Sequence, residues 1–205
     1  MPVKKPIGIG LLLGLLALAF GALPALASAT TLKTAAGPLS VGAPVTAVST
    51  NLVTKTKAGT LSCEEVELNG SVASNGGPLA EVSITEAVAE GGGASPGECA
   101  LVGNPEVEGV TVTVESVGPI KFDALTATDE SPVKFAAQIH PVGGGSVTCV
   151  FQGNIATSYA LNSPLGDVVE PSPLTTEAGT GCPVTGGEME GEFTVTSGGA
   201  AVEVG

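Results

Sequence analysis

Acidic side chains carry most of the chemical potential of this sequence. Glu188, Glu190 and Glu192 occupy alternate positions, and Glu106/Glu108 and Glu65/Glu67 repeat that spacing. On a strand, alternate residues share one face, so each set presents two or three carboxylates side by side. Two carboxylates facing one sugar are the acid and base of a glycosidase. Gathered at one point, carboxylates ligate a divalent ion. Glycosidases hold their sugars on aromatic platforms, however, and aromatics make up only 3% of this chain, with no Trp. No D-x-D-x-D-G calcium loop occurs either. The expectation is that these acids are solvated sheet faces whose like charges discourage edge-to-edge pairing. A hydrolase using Glu188, Glu190, Glu106 or Glu108 is the second reading. A surface module stabilised by a divalent ion, with Glu106/Glu108 approaching Glu188/Glu190, is the third.

Other chemistry finds less support. His140 is the only histidine and lies between Ile139 and Pro141 at an expected strand end. No G-x-S-x-G elbow accompanies it. P-loop and dinucleotide fingerprints are absent, and the 30 glycines read as turn residues. Asn69-Gly70-Ser71 formally matches a glycosylation sequon. No catalytic residue, metal ligand or cofactor is assigned.

Four cysteines remain: Cys63, Cys99, Cys149 and Cys182. Their even number reads as disulfides, whereas zinc would want C-x-x-C spacing and more than one histidine. Three connectivities are open. A weak internal repeat favours Cys63 with Cys99 and Cys149 with Cys182. Gly59-Thr60-Leu61-Ser62-Cys63 is echoed by Gly145-Ser146-Val147-Thr148-Cys149, and Cys99 and Cys182 each precede an E-x-E-G run, at Glu106–Gly109 and Glu188–Gly191. Each such bridge would contribute about 3–4 kcal/mol through loop-closure entropy.

The elements that must position these residues are strands. Val110-Thr111-Val112-Thr113-Val114 and Val82-Ser83-Ile84-Thr85 alternate with period two and are rich in β-branched side chains, as a half-buried antiparallel sheet requires. Strands are expected at Val45–Lys57, Val66–Ser74, Leu79–Ala89, Val107–Val117, Ile120–Thr128, Val133–His140, Ser146–Ser158 and Glu188–Thr196. Turns fall at Asn75-Gly76-Gly77-Pro78, Gly91-Gly92-Gly93, Gly118-Pro119 and Gly143-Gly144-Gly145. Helix competes only over Glu81–Glu90, where strand is still preferred. The predicted fold is an all-β antiparallel sandwich of two related halves, stapled by two disulfides.

Residues 1–29 read as a secretory signal peptide. Lys4 and Lys5 precede an apolar run from Ile7 to Leu23, Pro24 breaks it, and A-x-A cleavage sites follow at Ala25-Leu26-Ala27 and Ala27-Ser28-Ala29. A mature domain over residues 30–205 fits one core. It keeps five lysines, Lys33, Lys55, Lys57, Lys121 and Lys134, against 20 acids, which leaves a net charge of −15 with no arginine. Such a surface repels phosphate backbones and anionic headgroups, so nucleic acid and lipid headgroups are poor partners. Cleavage of the glycine-rich leader, expected ahead of its retention as a transmembrane anchor, leaves no stable membrane anchor. A hydrophobic fraction of 43% argues against acidic disorder.

Together with the signal and the four cysteines, Ala58-Gly59-Thr60-Leu61-Ser62-Cys63, Ser146-Val147-Thr148-Cys149 and Gly191-Glu192-Phe193-Thr194-Val195-Thr196-Ser197-Gly198-Gly199 give the chain a likeness. It resembles small secreted Thr/Gly/Val-rich four-cysteine proteins of high-GC bacteria. The resemblance implies an extracellular β-protein and brings no functional residues with it. The expected function is therefore non-enzymatic: a secreted or envelope-associated binding or structural protein whose partner is an extracellular or cell-envelope component.

Overall fold

The computed structural model describes residues 29–177 and 182–205. The expected signal peptide, Ala29 apart, lies outside the described residues. Sixteen strands and no helix are found among the described residues: β1 (Leu32–Thr34), β2 (Gly37–Pro38), β3 (Pro44–Ser49), β4 (Val53–Thr56), β5 (Gly59–Ser62), β6 (Glu65–Ser74), β7 (Ala80–Glu90), β8 (Ala100–Val102), β9 (Val107–Val117), β10 (Ile120–Phe122), β11 (Thr128–Pro141), β12 (Val147–Ser158), β13 (Gly166–Thr176), β14 (Gly186–Ser197), β15 (Ala200–Ala201) and β16 (Glu203–Val204). The all-β antiparallel expectation holds. So does the cysteine pairing: Cys63 is bonded to Cys99 and Cys149 to Cys182.

One antiparallel sheet runs β10-β7-β6-β3-β14-β13-β12-β11-β9. Its long strand β14 has two different partners on one side. Thr194–Thr196 pair with β3, while Gly187–Glu190 pair with β4. The change of partner occurs at Gly191, where a Cβ would lie 2.8 Å from Leu52 Cα. Asn51 completes the junction by accepting the Glu192 N–H on its side-chain oxygen at 2.9 Å. This crossing is why the expected strand Val45–Lys57 is divided into β3 and β4.

The fork closes a ring. From the lower half of β14, pairing continues through β4, β5 and β8. Cys99, just before β8, exchanges two backbone hydrogen bonds with Val110 of β9, at 2.8 and 2.9 Å. β9 pairs with β11, β11 with β12, β12 with β13, and β13 returns to β14. Closure of this kind protects sheet edges from pairing with other chains. Above the fork, β3, β6, β7 and β10 curve round to the start of β11, where the Ser131 hydroxyl donates to Pro119 O and the Gly118 N–H to Pro132 O. The halves proposed from the repeat are thus joined in one continuous curled sheet. β1, β2 and β16 form a separate small sheet, and Leu32, Val202 and Val204 are fully buried beneath it.

The strand most at odds with sequence expectation is β13, which runs through Pro171 and Pro173. Proline lacks a ladder donor and is normally confined to edges or bulges. Here bulges fall between Val169 and Ser172 on one side and between Gly153 and Thr157 on the other. Buried Ser172 repairs the gap: its hydroxyl accepts the Ala156 N–H at 2.8 Å and donates to Glu170 O at 2.7 Å.

Candidate functional site

Period-two alternation turns Val112 and Val114 of β9, Val133 and Phe135 of β11, Val169 of β13 and Phe193 and Val195 of β14 to the inner face. They face Val45 and Ala47 of β3, Val66 and Leu68 of β6, and Val82 and Ile84 of β7. These side chains do not meet completely. An apolar cavity of about 110 Å3 lies among them. Below it, Phe151, Ala137, Leu61 and Val184 leave a gap of only about 20 Å3.

Four polar residues interrupt the cavity wall: Thr54, Ser131, Thr157 and Asp167. Ser131 is satisfied by Pro119 O and Asp129 Oδ2. Asp167 is only 4% exposed, and both its Oδ1 and the Oγ1 of Thr157 lack a hydrogen-bond partner among the described residues. The register brings these two together. Thr157 is paired with Val169, which makes it the diagonal neighbour of Asp167. Phe193 of β14 stands opposite Asp167 on the other side.

Burial pushes the Asp167 carboxyl up to about 7, since a charge in an apolar wall loses its hydration. The Thr157 hydroxyl tempers the rise, and the negative charge of Asp129 adds to it. Buried polar atoms normally find partners, and orphans mark places where function overrides packing.

Outside Thr157 lies a surface groove carrying Asp123, Asp129, Glu130 and Glu170 against one cation, Lys121. Thr157 borders both groove and cavity and so separates them. The wall is held by Tyr159, which packs edge-on against Phe122 with ring centres 5.3 Å apart. Its hydroxyl accepts the Asp123 N–H and donates to Asp123 O. Burial pushes that phenol up to about 12.

The acids singled out by spacing lie elsewhere. Glu188 and Glu192 are exposed on the outer face of β14, and Glu190 forms an ion pair with Lys55. Glu106 and Glu108 flank the start of β9, beside the end of β11. Glu65 stands across from Glu90. The described residues contain no group of three or more His, Cys, Asp or Glu able to hold a metal ion. His140 Nε2 lies 3.1 Å from Thr111 Oγ1 and 3.7 Å from Glu98 Oε1. Both contacts fall on the same ring nitrogen, whereas a relay needs the nucleophile and the orienting acid on opposite nitrogens. Asn69 of the formal sequon sits mid-strand in β6, engaged by Thr46 and Glu67.

Sequence reasoning did not single out Asp167 or Thr157. The signal was available: Asp167 shares the inward face with Val169, a lone acid on an otherwise apolar register. The two prolines concealed it by obscuring the strand. Comparison of the chain with protein-family models, curated proteins and solved structures finds no significant match.

Proposed function

We propose that this is an exported, non-enzymatic binding protein that holds a small apolar molecule within its curled sheet. One observation carries the reading: an apolar cavity of about 110 Å3 whose wall includes a buried carboxyl and hydroxyl, Asp167 Oδ1 and Thr157 Oγ1 among the described residues lacking a well-formed hydrogen bond. Ligand sites are typically mostly apolar enclosures with a few placed polar groups, and this one has that composition. Two disulfides suit an oxidising compartment. With the leader-like residues 1–29, they support export to the medium or the envelope. The contacts of His140 and the dispersal of the spaced acids favour binding over hydrolysis.

A cavity of about 150 Å3 lined by aliphatic and aromatic groups takes up benzene or xenon. The purified protein with its disulfides intact should likewise bind xenon, read by xenon NMR and by a rise in melting temperature under xenon pressure. Ala47→Leu, which fills the space from β3, should abolish uptake. Failure of the wild-type protein to take up xenon sinks the reading. Hydrolysis of a glycoside or ester that disappears in Glu188→Gln or Glu106→Gln would favour the hydrolase instead. Fractionation of the source cells tests the address: export predicts the protein in the medium or the envelope, and retention in the cytoplasm contradicts it.

A further inference from the structure

We infer that the cavity is a binding site for a short-chain primary amine, with its ammonium group held by Asp167 and Thr157 and its alkyl chain against the apolar lining. The inference rests on the proposed role of the cavity as a ligand site and assigns that ligand a chemistry.

Three independent features converge on it. First, the buried oxygens of Asp167 and Thr157 have acceptor capacity to spare. Neither Asp167 Oδ1 nor Thr157 Oγ1 has a well-formed hydrogen bond among the described residues, although the Thr157 hydroxyl is near enough to the carboxyl to favour its charged form, and both oxygens keep lone pairs for a further donor. An ammonium brings three N–H donors, and a hydrogen bond between ionised partners is roughly twice as strong as a neutral one. Second, the charge around the site selects the sign of the ligand. The charged and titratable groups that act on Asp167 include Asp129 of β11 and Tyr159 just beyond β12, while Phe193 faces it from β14. None of these supplies a positive charge. The groove outside Thr157 adds three further acids, Asp123, Glu130 and Glu170, against Lys121. This field concentrates cations and repels carboxylates. Third, the size is restrictive. Since about 150 Å3 suits benzene, a cavity of about 110 Å3 takes roughly four or five carbon atoms.

The acid cluster alone would indicate only a solvated face. The buried carboxylate on the far side of Thr157 distinguishes the arrangement from a plain surface cluster. Thr157 lies between the groove acids and Asp167.

The test is a calorimetric titration of the purified protein at pH 8 with n-butylamine, n-butanol and butyrate, which share a chain length and differ in charge. n-Butylamine should bind about tenfold more tightly than n-butanol, as a charge-assisted hydrogen bond predicts, and butyrate should not bind. In Asp167→Asn the amine and the alcohol should bind equally. Thr157→Val, which removes the second acceptor but keeps the shape, should weaken the amine more than the alcohol. Equal binding of amine and alcohol by the wild-type protein overturns the inference while leaving the cavity a ligand site. Loss of all three, together with loss of xenon uptake, overturns both. Tighter binding of butyrate than of butylamine also overturns the inference, because it would require Asp167 to act as a protonated donor.

Discussion

Replacing Asp167 by Asn should change the pH dependence of stability in a direction fixed by burial. Burial pushes the folded carboxyl up to about 7 from its ordinary value of 3.8. Its affinity for a proton is thus higher folded than unfolded. Between these two values the native state binds more protons than the unfolded state, so stability falls as pH rises through the window. It is level below about 4 and level again above about 7. The difference corresponds to about 4 kcal/mol at full extent. Asn cannot titrate, is nearly isosteric and resembles the protonated acid in carrying no charge. Carboxylates remote from Asp167 contribute equally to both proteins and cancel in the comparison, while Asp129, whose charge acts on Asp167, contributes to the difference. Urea melts of wild type and Asp167→Asn at pH 4, 5.5, 7 and 8 should therefore show the variant gaining on the wild type by up to about 4 kcal/mol across the series. A gap that stays constant with pH would refute the argument, since it would mean that Asp167 keeps one ionisation state throughout or is hydrated as well folded as unfolded. A gap moving the opposite way would mean that an unidentified cation holds the carboxylate.

Three further outcomes follow from the fold. Replacing either cystine by a pair of serines should cost about 4 kcal/mol, given sequence separations of 36 and 33 residues, read as a fall in urea midpoint. Loss of Cys63–Cys99 should also raise the amide exchange rate of Val110, because Cys99 carries the backbone bridge that closes the ring. Ser172→Ala strands the Ala156 N–H inside the bulge and should destabilise by about 1–3 kcal/mol, whereas Thr175→Ala on the exposed face of the same strand should change little. Gly191→Ala places a methyl group 2.8 Å from Leu52 Cα and should cost at least about 1 kcal/mol, with chemical-shift changes centred on Asn51 and Glu192; an unchanged melt would contradict the fork at β14.

What was legible in the sequence is what local pattern controls. β9 falls where Val110-Thr111-Val112-Thr113-Val114 places it, and β7 is a strand despite its Glu and Ala content. The cystines pair as the repeat suggested: Cys63 and Cys99 adjoin the paired strands β5 and β8, and Cys149 of β12 is bonded to Cys182 in the segment before β14. What local pattern does not control was hidden. β13 depends on a bulge and on the Ser172 hydroxyl, neither of which alternation can reveal. β1, β2 and β16 are two or three residues long and exist through pairing between the ends of the described chain. The candidate site follows the same division: the spaced glutamates were conspicuous and lie apart, whereas Asp167 becomes conspicuous only after its strand is known.

Composition explains why the cavity exists. Four of the five phenylalanines, Phe122, Phe135, Phe151 and Phe193, are already buried, and the fifth, Phe20, falls within the expected signal peptide. Phe135 and Phe151 stack at 5.2 Å, and Phe151 helps close the lower end. The upper end takes Phe122, Phe135 and Phe193, but much of the remaining wall is small, with Val45, Ala47, Val82 and Ala89, and the chain has no Trp to reach across. The scarcity of aromatics that argues against a sugar platform also leaves the curled sheet incompletely filled. At about 24 cal/mol per Å3, an empty cavity of about 110 Å3 costs roughly 2–3 kcal/mol. Ionised Asp167 adds about 4 kcal/mol near pH 8. The combined cost of about 7 kcal/mol matches the roughly 7–8 kcal/mol that two cystines contribute. Natural domains have only about 5–15 kcal/mol of net stability, so an unstapled version of this chain would have little left. The two cystines therefore stabilise a chain whose underfilled, acid-lined interior works against it.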